Sequence, residues 1–332
     1  MWLGLAMVLG AGLLSGNCML PMKFVRRWAW ENVWLVFTLI SLVLIPWALG
    51  FMLVRDLAGV YASLPPDAYT VPVLFGAGWG IAQVLFGISI ARLGLALGYA
   101  IIIGLGALGG TLVPLFIQNR EVVGTSKGMA VLAGVAVMLV GIAISAVAGR
   151  DRERLQKSGS AAASGSYAVA LSLAVLCGVM APMINYSFAF GNHIAERAVQ
   201  LGTSATDAGY AVWPLTLTGG LVPNLLYSLY LLRRNKTWSR FSAGRSDVWL
   251  AVLMGVLWMG AVSIYGVASV YLGTLGTSAG WALFQIFMIM TANVSGMITG
   301  EWRGVPRRTV SVFWGGQALL AVATVLIALG NR

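Results

Sequence analysis

The 26 residues FGAGWGIAQVLFGISIARLGLALGYA, from Phe75 to Ala100, come back 179 residues later as MGVLWMGAVSIYGVASVYLGTLGTSA, from Met254 to Ala279. Gly76, Trp79, Ala82, Gly87, Leu93, Gly94 and Ala100 meet Gly255, Trp258, Ala261, Gly266, Leu272, Gly273 and Ala279, and Phe86 falls opposite Tyr265. One residue further in offset, Glu121 and Gly124 meet Glu301 and Gly304. Gly and Ala are frequent enough here to coincide by composition alone, but paired Trp, Glu and turn Gly together point to two related halves. Between the copies lies RDRERLQKSGSAAASGS, Arg150 to Ser166, a charged and Ser/Ala/Gly-rich stretch with nothing to bury, which is the composition of a linker. It separates a first repeat at 1–149 from a second at 167–332.

Both copies are apolar throughout, and so is most of the chain: 59% of its 332 residues are hydrophobic and 9% charged, against roughly 25% charged in a soluble domain. Water cannot be the main solvent of such a surface. Apolar runs long enough to cross a hydrocarbon core of about 30 Å as helices are expected at 3–22, 33–54, 71–90, 94–118, 127–149, 167–191, 209–232, 248–271, 277–299 and 309–329. The expected fold is an all-α membrane protein of ten transmembrane helices, five per repeat. Because five is odd, the second repeat enters the bilayer from the side opposite to the first, and the repeats are inverted. Inverted repeats are the architecture of alternating access, with a site near the midplane between the halves.

A net charge of +11 would suggest nucleic acid in a soluble protein, but here the basic residues sit in short turns, where they set topology. Assigned to alternate sides, Arg55, Arg120, Lys127, Arg197 and Arg332 fall on the side of both termini, and the other sixteen of the 21 fall opposite. That bias predicts cytoplasmic placement of the sixteen, and periplasmic termini in a bacterial inner membrane. The first 22 residues lack a basic leader and a small-residue cleavage site, and read as a retained span. Cys18 and Cys177 lie inside apolar runs, so neither a disulfide framework nor a metal site is expected.

Four motifs resemble the bacterial L-rhamnose/proton symporter family of the drug/metabolite transporter superfamily. They are PMKFVRRWAWENVW (Pro21 to Trp34), VPVLFGAGWGI (Val71 to Ile81), RLGLALG (Arg92 to Gly98) and GEWRGVPRR (Gly300 to Arg308). The resemblance runs over nearly the whole chain. It implies ten helices, a cavity lined by helices 1, 3, 4, 6, 8 and 9, and import of a 6-deoxy sugar, L-rhamnose or L-fucose, with a proton. A uniporter, or an exporter of another small polar metabolite or drug, is the alternative within the superfamily. The chain departs from the family at Phe284, where members carry a histidine, and Trp281 to Gly296 holds no ionisable side chain.

A sugar site needs flat apolar faces for ring C–H groups and a few fixed donors and acceptors for hydroxyls. Trp79, Gln83 and Phe86 share one helical face, Trp258 and Tyr265 repeat it in the second half, and Trp281 with Gln285 stand at i, i+4. Tyr99, Asn17 and Asn185 complete the expected substrate-binding set; Asn17 shares a face with Pro21, which loosens backbone bonds, and Asn185 follows Pro182. Each of these side chains has a packing alternative, as a tryptophan in a bilayer also serves interfacial belts. Asn224 and Asn293 are expected to bond between helices. All ten acids lie in loops or at span ends, so a gate or coupling pair is sought in Lys23 and Glu31, which flank the first cytoplasmic turn. His193 reads as a loop residue, and Gly104, Gly106 and Gly109 spell a dinucleotide fingerprint with no strand before it. Together with Gly76 and Gly80, and with Gly94 and Gly98, Gly106 and Gly110 read as seams for close helix approach. No buried acid answers a cationic drug, and no nucleophile with a base answers an enzyme. No cofactor, metal or nucleic acid is expected; the partners are the sugar, the proton and the bilayer, in a monomer or homodimer.

Overall fold

The protein, described by a computed structural model for residues 2–156 and 167–331, is built of helices and has no strand among the described residues. Ten are long and apolar enough to cross a bilayer: α1 Trp2–Phe24, α2 Trp30–Leu53, α3 Pro66–Leu93, α4 Ala96–Gln118, α5 Ser126–Leu155, α6 Tyr167–Gln200, α7 Trp213–Arg234, α8 Ser246–Leu275, α9 Ala279–Ile298 and α10 Arg307–Gly330. Each coincides with an expected span. Helices satisfy every backbone donor and acceptor within one segment, which hydrocarbon requires. Large side chains such as Phe51, Met52, Trp249 and Ile298 stay exposed, as a lipid solvent permits.

Several spans are interrupted where the sequence removes a backbone donor. The α-helical part of α1 ends at Asn17 and continues as a tighter 3-10 turn, Leu20–Phe24, that contains Pro21. In α2 a π turn at Ile40–Leu44 precedes Pro46. In α6 the helix Tyr167–Met180 stops, and Met183–Phe190 restarts after Pro182. The helix of α5 runs on to Gln156, so 150–156, expected as linker, is helical. The reason is that its polar residues find partners: Arg152 reaches Glu301, and Glu153 Oε1 accepts the Ala96 N–H at the start of α4 at 2.7 Å. Residues 157–166 of the expected linker lie outside the described residues.

Helix α1 packs on α8 and α9, while α6 packs on α3 and α4; α3 lies along α7, and α8 along α2. Helices α4 and α5, α9 and α10, α2 and α7, α4 and α9, and α5 and α10 also touch. The α3–α7 seam is a backbone contact: a Cβ on Gly76 would stand 1.9 Å from the Thr216 carbonyl oxygen, and one on Gly80 2.5 Å from that of Gly220. The expected seam at Gly76 and Gly80 is therefore present. Gly94 does something else, turning the chain from α3 into α4 at a φ of 85° that disfavours a side chain. Gly104, Gly106 and Gly109 are helical. The turns after α1, α3, α5, α7 and α9 gather at one end, which we call the basic end; the described termini lie at the other.

Candidate functional site

A cavity of about 720 Å³ runs from the middle of the bundle to the basic end. Its deep wall is aromatic. Trp79 of α3 and Trp258 of α8 stack with ring centroids 5.2 Å apart and planes inclined by 21°. Tyr265 packs on Phe284 at 5.2 Å and edge-on to Trp281 at 5.6 Å. The polar tips of Trp281 and Tyr265 are tied to protein, which fixes the faces of these two rings. Trp281 Nε1 donates to the Gly106 carbonyl at 3.1 Å, and its ring fills the place that a Cβ on Gly110 would take. Tyr265 donates its hydroxyl proton to Asn185 Oδ1 at 2.7 Å.

Three amides line the same space: Gln83, Gln285 and Asn293. None of the three has a hydrogen-bond partner among the described residues. An amide left unpaired away from water is costly, so this wall is built for water or for a hydroxylated ligand.

The structure thus brings together Trp79, Gln83, Tyr99, Trp258, Tyr265, Trp281, Gln285 and Lys23 of the sequence-expected residues. It does not bring Asn17, Asn185 or Glu31 to the cavity surface. Asn17 donates to the Leu13 carbonyl at 2.9 Å and accepts from Ser295, joining α1 to α9. Asn185, fully buried, donates to the carbonyls of Gly110 and Thr277 at 2.9 and 2.8 Å, behind Tyr265. Glu31 accepts from Asn235 Nδ2 at 3.0 Å and Thr237 Oγ1 at 2.7 Å. Asn224, as expected, bonds between helices, accepting from Trp34 Nε1 at 3.0 Å; Asn293, expected to do the same, lines the cavity instead. His193 sits in the last helical turns of α6 with Nε2 3.0 Å from the Ala68 carbonyl.

Helices α2, α5, α7 and α10 also contribute, through Trp34, Ser145, Trp213 and Phe313 among others. Sequence reasoning did not place these four. For Trp213 a signal existed, since it stands before Pro214 at a helix start, where a bulky ring can be held rigidly. Nothing local marks Ser145 or Phe313.

At the basic end the mouth carries Lys23, Arg152 and Glu301, the only Asp, Glu, Lys or Arg side chains of the lining among the described residues. Lys23, expected to pair with Glu31, pairs with Glu301, and Arg152 Nη1 donates to the other carboxylate oxygen at 2.9 Å. The reason is direction: Glu31 turns toward the α7–α8 connection while the α9–α10 turn brings Glu301 across to α1. The Arg152 guanidinium also lies 5.1 Å from the Trp302 ring centroid. Burial works to raise the Glu301 carboxyl, but the Lys23 hydrogen bond and the charges of Lys23 and Arg152 outweigh it and hold the group below the usual carboxylate range. No cluster of His, Cys, Asp or Glu that could hold a metal occurs among the described residues.

Residues 2–332 match the family model described as L-rhamnose-proton symport protein. The chain is 30% identical over 329 residues to the L-rhamnose-proton symporter of Cronobacter sakazakii, with 96% of this chain and 95% of that protein covered. It is 29% identical to the Shigella flexneri protein of the same name and 28% to that of Citrobacter koseri, with the same coverage. A whole-length match, ten membrane-crossing helices and a cavity within the bundle agree: the chain belongs to the L-rhamnose-proton symport protein family, and is a multi-pass transporter rather than an enzyme.

Proposed function

We propose that this chain imports a 6-deoxy sugar, L-rhamnose before L-fucose, with a proton across a bacterial inner membrane. The observation that carries this reading is the stacked Trp79–Trp258 wall beside the unpartnered amides of Gln83, Gln285 and Asn293. A deoxyhexose presents a methyl group and ring C–H faces to aromatic rings, and hydroxyls to amides. The relatives' name, L-rhamnose-proton symporter, supports both the sugar and the proton.

Alternating access between two inverted repeats, 1–149 and 167–332, fits the packing scheme. Exchanging each helix for its mate five places on turns the α1 contacts with α8 and α9 into the α6 contacts with α3 and α4, and the α3–α7 pair into α8–α2. The pairs α2–α7, α4–α9 and α5–α10 map onto themselves. Trp79 and Trp258, which face each other at the centre, are repeat mates. With the charge bias placing the basic end in the cytoplasm, the cavity faces inward and both termini are periplasmic.

Phe284, where the family resemblance implies a histidine, stands in the wall packed on Tyr265. Among the described residues the one acidic side chain lining the cavity is Glu301, which makes it the candidate for proton coupling. The same observation keeps a second reading, facilitated exchange without a proton.

The test is uptake of labelled L-rhamnose and L-fucose by proteoliposomes with and without an imposed pH gradient. Accumulation driven by the gradient is expected, stronger for L-rhamnose. Neither accumulation nor exchange of either sugar would refute the substrate assignment, and exchange indifferent to pH would refute coupling alone.

A further inference from the structure

A second hollow, of about 310 Å³, lies at the end of the bundle opposite the basic one. Its volume falls at the small end of ligand pockets, about 300–1,000 Å³. The wall combines the face of Phe188 with Gln118, Asn192, Thr274 and Thr277, and carries no charged side chain. That is the chemistry of the main cavity in miniature, one aromatic face with amides and hydroxyls.

A single layer of side chains separates the two spaces. Thr277 lines the second hollow, and its carbonyl accepts from Asn185 Nδ2 at 2.8 Å; Asn185 Oδ1 in turn accepts from the hydroxyl of Tyr265, which lines the first. Beside this chain of bonds Phe188 of the second hollow stacks on Trp213 of the first, 4.7 Å between centroids and 1° between planes. The Asn185 amide also bonds the Gly110 carbonyl at 2.9 Å, so α4, α6, α8 and the turn before α9 meet at one buried side chain. These bonds and the ring stack join different elements across the layer between the two spaces.

We propose that the second hollow is an outer subsite for the same hydroxylated ring, which passes to the main cavity when the Asn185–Tyr265 and Phe188–Trp213 layer parts. The proposal rests on the sugar-transport reading above. It explains why Asn185, expected at the sugar site, is held behind the wall by the Tyr265 hydroxyl instead. It also gives Gln118, which donates to the Ala189 carbonyl at 2.8 Å and accepts from Thr277 Oγ1 at 3.4 Å, a place in the wall that a solute would rearrange.

The test compares KM for L-rhamnose entering from each face, in right-side-out and inside-out membrane vesicles, for the wild type, Asn192→Ala, Thr274→Ala and Gln285→Ala. Losing one solute hydrogen bond in the outer subsite should raise the outer-face KM about five- to tenfold for Asn192→Ala and Thr274→Ala, with the basic-end KM unchanged. That unchanged value also reports that the variants fold. Gln285→Ala should raise both. If the outer variants shift neither KM, or shift both equally, the outer subsite is refuted while sugar transport stands. If the wild type carries no sugar from either face, the functional reading fails and takes the subsite with it.

Discussion

The two ends of the cavity are bounded by different physics. At the basic end, three charged side chains meet at a mouth that remains partly wet, with Lys23 41% and Glu301 34% exposed. At the far end, a dry layer of neutral groups seals the cavity, centred on the fully buried Asn185 and the Phe188–Trp213 stack. Exposed ion pairs contribute at most about 1 kcal/mol each, whereas stripping a buried hydrogen-bonding group of its partner costs about 1–3 kcal/mol. The charged mouth, through which the cavity already reaches the surface, therefore gives way more easily in this conformation.

The largest effect should come from the aromatic wall of the main cavity. Trp79→Ala removes half of the stacked pair, and with a loss on the order of 3 kcal/mol transport should fall roughly 100-fold; Trp79→Phe should restore most of it. Labelled-sugar uptake normalised to protein in the membrane checks this, and near-normal uptake by Trp79→Ala would break the account of the wall. Next comes the dry seal. Asn185→Ala orphans the Tyr265 hydroxyl and the Gly110 and Thr277 carbonyls, so far-end opening should rise about tenfold or more. The readout is the rate at which Ala181→Cys, a thiol on the main cavity wall outside the stack, in a background with Cys18 and Cys177 replaced by Ala, reacts with an impermeant thiol reagent added at the far end.

The charged mouth should respond least, and with a sign fixed by Glu301. Its carboxyl is held below the usual range, so the pairing contributes fully above that range and is lost as pH falls through the depressed value. Acid should therefore loosen the basic end, and Glu301→Gln should reproduce the loosening at neutral pH by about fivefold or less in reagent access, given the exposure of the pair. If Glu301 carries the coupling proton, the same variant abolishes the response of uptake to an imposed pH gradient while exchange persists. An unaltered pH response would remove Glu301 from coupling.

The ten helices were legible because lipid leaves no freedom: each span must be a long apolar run, and each was written as one. The aromatic half of the site was legible for a related reason, since Trp79, Trp258 and Trp281 sit mid-span with amides one turn away, and i, i+4 spacing fixes a shared face. What local spacing cannot supply is a partner across the fold. Lys23 has Glu31 eight residues on and binds Glu301, 278 residues away. Asn185 had to be satisfied somewhere, but whether by sugar or by Tyr265 depends on how four elements meet. The helical end of α5 was hidden likewise, because a charged run looks like linker until Glu301 and the α4 terminus give its side chains something to hold.

The central claim is that the sugar occupies the aromatic and amide cavity reached from the basic end. Ala292 lines that cavity on α9, and Ala292→Cys, in the background lacking Cys18 and Cys177, places a thiol there at little cost in volume. The measurement is its rate of alkylation by an impermeant maleimide added to the cytoplasmic face of inside-out vesicles. The account predicts reaction from that face, slowed roughly tenfold by saturating L-rhamnose as expected for a ligand that occupies about nine-tenths of the sites. Reaction at the same rate with and without the sugar, or only from the opposite face, would contradict it.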